Sequence, residues 1–103
     1  MIRIPKNRKA THPGETLLEE FIEPMGITQK QLADAIRVPF QRINEVVRGK
    51  RAITPSTAVR LAKYFGNSPA FWLNLQMRCD IQTAQAAESK ELGKIDRLKP
   101  LAA

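Results

Sequence analysis

Four side chains in one short stretch of the sequence have the chemistry needed to contact the edges of nucleic-acid bases; they are Phe40, Gln41, Arg42 and Glu45. An amide such as Gln41 can pair with adenine through two hydrogen bonds, and a guanidinium such as Arg42 can bind guanine or a phosphate. A carboxylate such as Glu45 can accept a hydrogen bond from cytosine, and the ring of Phe40 can pack on a thymine methyl group. We therefore predict that this stretch forms a base-contacting surface.

Polar and basic residues flank that stretch and suit contacts with phosphate groups; they are Gln29, Arg48, Lys50 and Arg51. The chain of 103 residues has a formal net charge of +7 and a pI near 10.1. Such a balance is typical of proteins that bind a polyanion, either nucleic acid or an anionic membrane surface. No apolar run approaches the roughly 20 residues that span a bilayer. We predict a nucleic-acid partner and no membrane partner.

Each of these assignments has a structural alternative. Phe40 could belong to the hydrophobic core, and Glu45 could form a surface ion pair with Arg42 or Arg48. The cations that follow could belong to a solvated loop. What favours the binding interpretation is position, because scattered cations would not concentrate around one short helix.

Two short helices must position these side chains. Thr28 is suited to cap the first, over about residues 28–36, and Pro39 is expected to be the first residue of the second, which ends at Arg48 before Gly49. The residues predicted to face inward are Leu32, Ala33 and Ile36 in the first helix and Ile43, Val46 and Val47 in the second. Two short helices joined by a few residues form a helix-turn-helix, whose second helix enters the major groove of DNA.

Three further helices are predicted from similar start signals. A capping residue followed by proline occurs at Thr54 and Ser68, and Thr11 or His12 precedes Pro13 in the same way. The alternation typical of strands is nearly absent. We therefore predict an all-α domain of five helices over residues 11–82, with a basic N-terminal arm over residues 1–10. Residues 83–103 are expected to form a C-terminal extension, partly helical and partly mobile.

The fifth predicted helix carries more apolar surface than a small domain needs. At about 100° per residue, its apolar residues divide into one side with Phe71, Trp72, Leu75 and Cys79 and an opposite side with Leu73, Met77 and Ile81. The first side can close the core, and we predict that the opposite side forms a symmetric dimer. The alternative is that the C-terminal tail covers it.

The stretch "TQKQLADAIRVPFQRINEVVRGKRAIT" resembles the helix-turn-helix of the phage-repressor-like superfamily, also called XRE or Cro/cI-type, which has a lambda-repressor-like fold. With its flanks "HPGETLLEEFIEPMG" and "PSTAVRLAKYFGNSPAFWLNLQ", it is similar to HigA antitoxins, also described as VapI-type proteins. The resemblance covers about residues 12–81. It implies a homodimer that binds a palindromic operator in the promoter of its own operon. It also implies that the protein neutralises a HigB toxin, an mRNA-cleaving ribonuclease.

Carried over by position, the resemblance places base contacts at Phe40, Gln41 and Glu45 and a phosphate contact at Gln29. One position departs from the family pattern, because Arg37 stands where the turn usually has glycine. Either Arg37 adopts a left-handed conformation, at a cost of about 1 kcal/mol, or the turn differs and shifts the recognition helix.

Other classes of function have less support. His12 is the single histidine, and no glycine-rich phosphate loop is present, so we predict no enzyme, metal, cofactor or small-molecule substrate. A stand-alone transcriptional regulator would carry the same DNA-binding residues. The acidic residues Glu19, Glu20 and Glu23 would suit a basic toxin, or form only a solvated face. The lone Cys79 cannot form an internal disulfide and no secretory signal is recognised, so the cytoplasm is expected.

Overall fold

The chain folds into an all-α domain, as predicted. The computed structural model describes residues 10–101, and this part contains six helices and no strand. Helix α1 is α-helical over Pro13–Leu17 and continues directly as a π-helix over Leu18–Ile22; the others are α2 over Gln29–Ile36, α3 over Phe40–Val47, α4 over Pro55–Phe65, α5 over Pro69–Ala87 and α6 over Ser89–Leu92. The cations expected in the N-terminal arm, Arg3, Lys6, Arg8 and Lys9, lie outside the described residues.

Local capping bonds explain where the helices begin. The Thr28 hydroxyl accepts from the Gln31 backbone N–H at 3.0 Å, and the Gln31 side chain accepts from the Thr28 N–H at 2.8 Å, which completes a capping box. Thr54 and Ser68, each ahead of a proline, cap α4 and α5 through the hydroxyl alone, which accepts from the backbone N–H three residues ahead. Of the two candidates for α1, His12 is the cap, because its Nδ1 accepts from the Gly14 N–H at 2.9 Å.

One predicted helix boundary was wrong. Pro39 is the residue before α3 and not its first residue, since its ψ of 143° is extended and α3 begins at Phe40. Proline fixes only φ, near a value that extended and helical backbone share, so the sequence alone did not distinguish the two positions. After α5, Glu88, with φ −108° and ψ 14°, separates that helix from the short α6.

The core lies where α1, α2, α3, α4 and α5 meet. Its largest side chains with almost no exposed surface are Leu17, Leu32, Ile43, Leu61 and Trp72. Full burial of a side chain of this size contributes about 1.5–3 kcal/mol to the free energy of folding, relative to leaving it exposed. The Trp72 ring packs within 4.9 Å of the Phe21 ring, centroid to centroid, and its N–H donates to Asn67 at 3.0 Å. This indole therefore joins α5 to α1 with its polar atom satisfied.

One close backbone approach fixes α1 against α3. A Cβ added at Gly14 would lie 1.8 Å from the Val46 carbonyl oxygen and 2.6 Å from the Val46 carbonyl carbon. Both of these atoms are backbone, so they cannot move aside as a flexible side chain can. Only glycine allows the start of α1 to reach the last turn of α3 at this distance. The sequence reasoning missed Gly14, although a glycine in the first turn of a helix is itself a signal of close packing.

Candidate nucleic-acid interface

Helix α3 separates buried residues from a solvent-facing surface. Ile43 and Val46 are fully buried, whereas Phe40 is 48% exposed. Gln41 is exposed beside Phe40, and Arg42 is half-buried. The alternative that Phe40 belongs to the core was therefore wrong. The first turn of α3 therefore leaves an aromatic ring and an amide exposed and a guanidinium partly exposed, and all three groups can contact base edges.

Glu45 pairs with Arg51 and not with Arg42 or Arg48. Its Oε1 accepts from Arg51 Nε at 2.8 Å and lies 2.8 Å from Arg51 Nη2, and Gln41 donates to its Oε2 at 3.4 Å. The two partners in this ion pair remain 31% and 48% exposed, so the pair contributes at most about 1 kcal/mol. DNA that offered a better partner to either side chain could therefore replace it at small cost.

A polar contact sets α2 against α3. Asn44 Nδ2 donates to Gln29 Oε1 at 3.1 Å, across the two helices of the helix-turn-helix. Because Gln29 uses its carbonyl oxygen in this bond, its NH2 group is the part left to donate to a phosphate. The sequence analysis did not predict this contact between α3 and the start of α2.

The turn between α2 and α3 is formed by Arg37 in a left-handed conformation, the first of the two possibilities stated above. Arg37 is left-handed, with φ 62° and ψ 50°, and is the only described residue other than glycine with positive φ. The Val38 N–H donates to the Ala33 carbonyl at 3.0 Å and the Arg37 N–H to the Asp34 carbonyl at 3.3 Å. These bonds close α2 as in a Schellman motif, so the turn keeps its usual geometry without glycine.

Predicted phosphate-binding cations follow α3. Arg48 and Lys50 are exposed, and among residues 10–101 no carboxylate lies within ion-pairing distance of either one. The segment after them is anchored by Gln76 of α5, which is 7% exposed and whose Oε1 accepts from the Ile53 N–H at 2.8 Å. The same amide donates to Asp80 at 2.9 Å. The sequence reasoning missed this anchor because it considered only the apolar residues of α5.

The family was established by comparison with known proteins. A family model described as helix-turn-helix matches residues 18–72, more than half of the chain. The chain belongs to this helix-turn-helix family. It is 49% identical over 76 residues to Virulence-associated protein I of Dichelobacter nodosus, covering 74% of this chain and 70% of that one. It is 42% identical over 74 residues to Antitoxin HigA-1 of Vibrio cholerae, covering 72% of this chain and 70% of that one.

A solved structure of a HigA antitoxin has the same fold as this chain. The structure titled "Pseudomonas aeruginosa antitoxin HigA with higBA promoter" superposes with a TM-score of 0.80 at 38% identity, covering 90% of this chain and 99% of that one. The resemblance to the phage-repressor-like superfamily and to HigA antitoxins is confirmed.

The outer side of α5 in this helix-turn-helix protein is largely apolar and uncovered. Met77 is 51% exposed and Ile81 48% exposed, whereas Leu73 is half-buried against the core of its own chain. Residues 88–101 are exposed and do not cover Met77 or Ile81, so the alternative of a covering tail is not met in the described residues. On the other side of α5, Trp72 closes the core as predicted, while Phe71 stays exposed at its rim.

The single histidine has a structural role near the end of α3. Partial burial lowers the pKa of His12 below its ordinary value of 6.5, while the negative charges of Asp80 and Glu15 act in the opposite direction. The lowered pKa favours neutral imidazole, which is the form that can accept the Gly14 N–H at Nδ1. Within residues 10–101 no cluster of His, Cys, Asp and Glu side chains could hold a metal ion, and no helix could cross a membrane.

Proposed function

We propose that this protein is the antitoxin of a HigBA-type toxin–antitoxin pair, which represses its own operon by binding operator DNA as a dimer and neutralises an mRNA-cleaving toxin. The observation that carries the DNA-binding part is the solvent-facing surface of α3, which is held by the close approach of Gly14 in α1 and by the Asn44–Gln29 bond to α2. The Pseudomonas aeruginosa antitoxin HigA, whose structure includes the higBA promoter, has the same fold and supports this assignment.

In the proposed complex, the first turn of α3 enters the major groove. Phe40, Gln41 and Arg42 contact base edges, and Glu45 joins them after exchanging its bond with Arg51 for a bond to a base. The proposed phosphate contacts fix the register without reading sequence; they are Gln29, Arg48, Lys50 and Arg51.

A symmetric dimer follows from the outer side of α5. Pairing two copies through Met77 and Ile81, with Leu73 at the edge, would remove exposed apolar surface from water. A twofold dimer presents its recognition helices to successive major grooves, about 34–36 Å apart, and so reads a palindrome.

The toxin would meet a different surface. Glu19, Glu20 and Glu23 are exposed on and just after the π-helical part of α1, on the acidic face of an otherwise basic chain. A ribonuclease that handles RNA is expected to be basic, so charge complementarity favours this face as its docking surface.

Two experiments test the proposal. Selection from random duplex DNA should enrich a palindrome, and an excess of random duplex should not displace the chain from it; enrichment of no sequence would contradict operator binding. Co-expression of the tagged chain with its genomic neighbours, followed by mass spectrometry, should recover a small basic protein that is toxic when expressed alone.

The second candidate function is a stand-alone regulator without a toxin. It is favoured by the same α3 surface, because these DNA-binding residues require no second protein. Recovery of a clean homodimer that still binds its selected palindrome would support the regulator and exclude the antitoxin.

A further inference from the structure

Arg60 of α4 reaches across to the turn between α2 and α3. Its Nη1 donates to the Ile36 carbonyl at 2.8 Å, and the same atom lies 3.4 Å from the Arg37 carbonyl, which it also bonds. The carbonyls at the end of a helix have no partners within the helix, so side chains from other elements or water must satisfy them. Arg60 therefore supplies, from a third helix, hydrogen bonds to two backbone carbonyls of the helix-turn-helix.

These bonds fall on the one strained position of the motif. Arg37 adopts left-handed backbone, with φ 62° and ψ 50°, which is unfavourable for any residue that has a Cβ. The direction in which α3 leaves α2 depends on this turn. The two carbonyls belong to the peptide groups on either side of the Arg37 Cα, so a guanidinium bonded to both restrains the turn in that conformation.

We propose that Arg60 is a positioning residue for DNA recognition, which holds the left-handed turn at Arg37 and thereby sets the angle at which α3 meets the base edges. This inference rests on the proposed function in its DNA-binding part. Arg60 acts through the turn and requires no contact with DNA.

The surroundings of Arg60 give a matched control. Arg60 lies in an open groove of about 420 Å³ between α2 and α4, which also contains Val59, Lys63 and Tyr64. Lys63 is an exposed cation of the same helix and groove. Replacing it removes the same charge as replacing Arg60 and leaves the turn contacts in place. Because the groove is open, water can reach the carbonyls that Arg60 leaves, so the fold should survive its loss.

The test first compares the single variants Arg60→Met and Lys63→Met. Arg60→Met is then combined with Arg37→Gly in one double variant and with Arg37→Ala in another. Each Arg37 substitution is also made alone. Glycine tolerates the left-handed turn and alanine does not, yet both remove the Arg37 charge. Affinity for the selected palindrome and for random duplex is measured at several salt concentrations, together with the melting temperature of each protein.

Arg60→Met should bind the palindrome about 10-fold more weakly, while its affinity for random duplex changes by less than about 3-fold and its salt dependence matches the parent's. Arg37→Gly should restore most of the lost affinity and Arg37→Ala should not. Lys63→Met should leave the ratio of the two affinities unchanged.

Other results overturn the proposal. A salt slope reduced by about 0.9, with no recovery from Arg37→Gly, would make Arg60 a phosphate contact. Equal losses on both duplexes would make it a stability residue only. If the parent selects no sequence, the proposed function itself fails, and the melting temperatures still show whether Arg60 and Arg37 are coupled.

Discussion

The outward faces of α3 and α5 expose apolar side chains to the same degree, since Phe40 and Ile81 are each 48% exposed. Their surroundings differ. Phe40 lies among an amide, a guanidinium and a carboxylate, on a helix held by the close approach of Gly14 and by the Asn44–Gln29 bond. Ile81 lies one helical turn after Met77, which is also apolar and exposed. Two equally exposed apolar residues therefore belong to different kinds of surface. The surface of α3 is polar and suited to specific hydrogen bonds, whereas the outer side of α5 is apolar and suited to packing against a second copy of the chain.

The largest effect should come from breaking the contact between α1 and α3 that positions the α3 surface. Gly14→Ala places a methyl group 1.8 Å from the Val46 carbonyl oxygen, so α1 and α3 must separate. We expect a loss of more than about 3 kcal/mol in the free energy of unfolding, measured by urea denaturation. Gly93→Ala is the matched control, because its added Cβ meets no atom closer than 3.5 Å and stability should be almost unchanged. A Gly14→Ala protein of parental stability would show that this packing is not rigid.

The second surface can be broken without touching the core. Met77→Glu combined with Ile81→Glu places two carboxylates on the outer side of α5, where like charges would face each other across a symmetric contact. We expect monomers in light scattering at micromolar concentration and binding to the selected palindrome weakened about 100-fold, because the second half-site no longer adds affinity. The unfolding free energy of the monomer should change by less than about 0.5 kcal/mol. Persistent dimers would exclude this side of α5 as the interface.

A smaller effect is expected from substitutions on the α3 surface that distinguish contacts with bases from contacts with phosphates. Gln41→Ala should cost about 1–3 kcal/mol in binding to the selected palindrome and much less on random duplex. Lys50→Ala is the contrasting variant, which should weaken both duplexes alike and reduce the salt slope by about 0.9. If Gln41→Ala weakens both duplexes equally, Gln41 positions the helix without reading bases.

The smallest effect concerns pH. The pKa of His12 is lowered in the folded protein, mainly by burial, so the unfolded chain binds a proton more readily. The stability that neutral His12 contributes is therefore present above about pH 6.5 and is lost as pH falls from there through the lowered pKa. Unfolding measured from pH 7.5 to pH 5 should show this decline. His12→Asn keeps a capping oxygen but does not titrate, so its profile should be flatter over that range.

Much of the fold and of the candidate site could be predicted from short-range patterns. Thr28, Thr54 and Ser68 each cap a helix by accepting a bond from the residue three positions ahead, so the signal and its partner lie in one short segment. The inward positions of α3 followed from helical spacing, and so did its solvent-facing residues. The pairing of Glu45 could not be predicted, because its partner Arg51 lies beyond the end of α3, in a segment without helical spacing.

The sequence by itself therefore determined the all-α class and the starts of α2, α4 and α5, because caps and periodicity act within a few residues. The tertiary structure alone decided how those helices are held. Ile53 meets Gln76, Arg60 meets Ile36 and Gly14 meets Val46 only after α1, α4 and α5 have packed around α2 and α3. Contacts between residues so far apart along the chain leave no local pattern, because they depend on the packing of whole helices and not on the spacing within one.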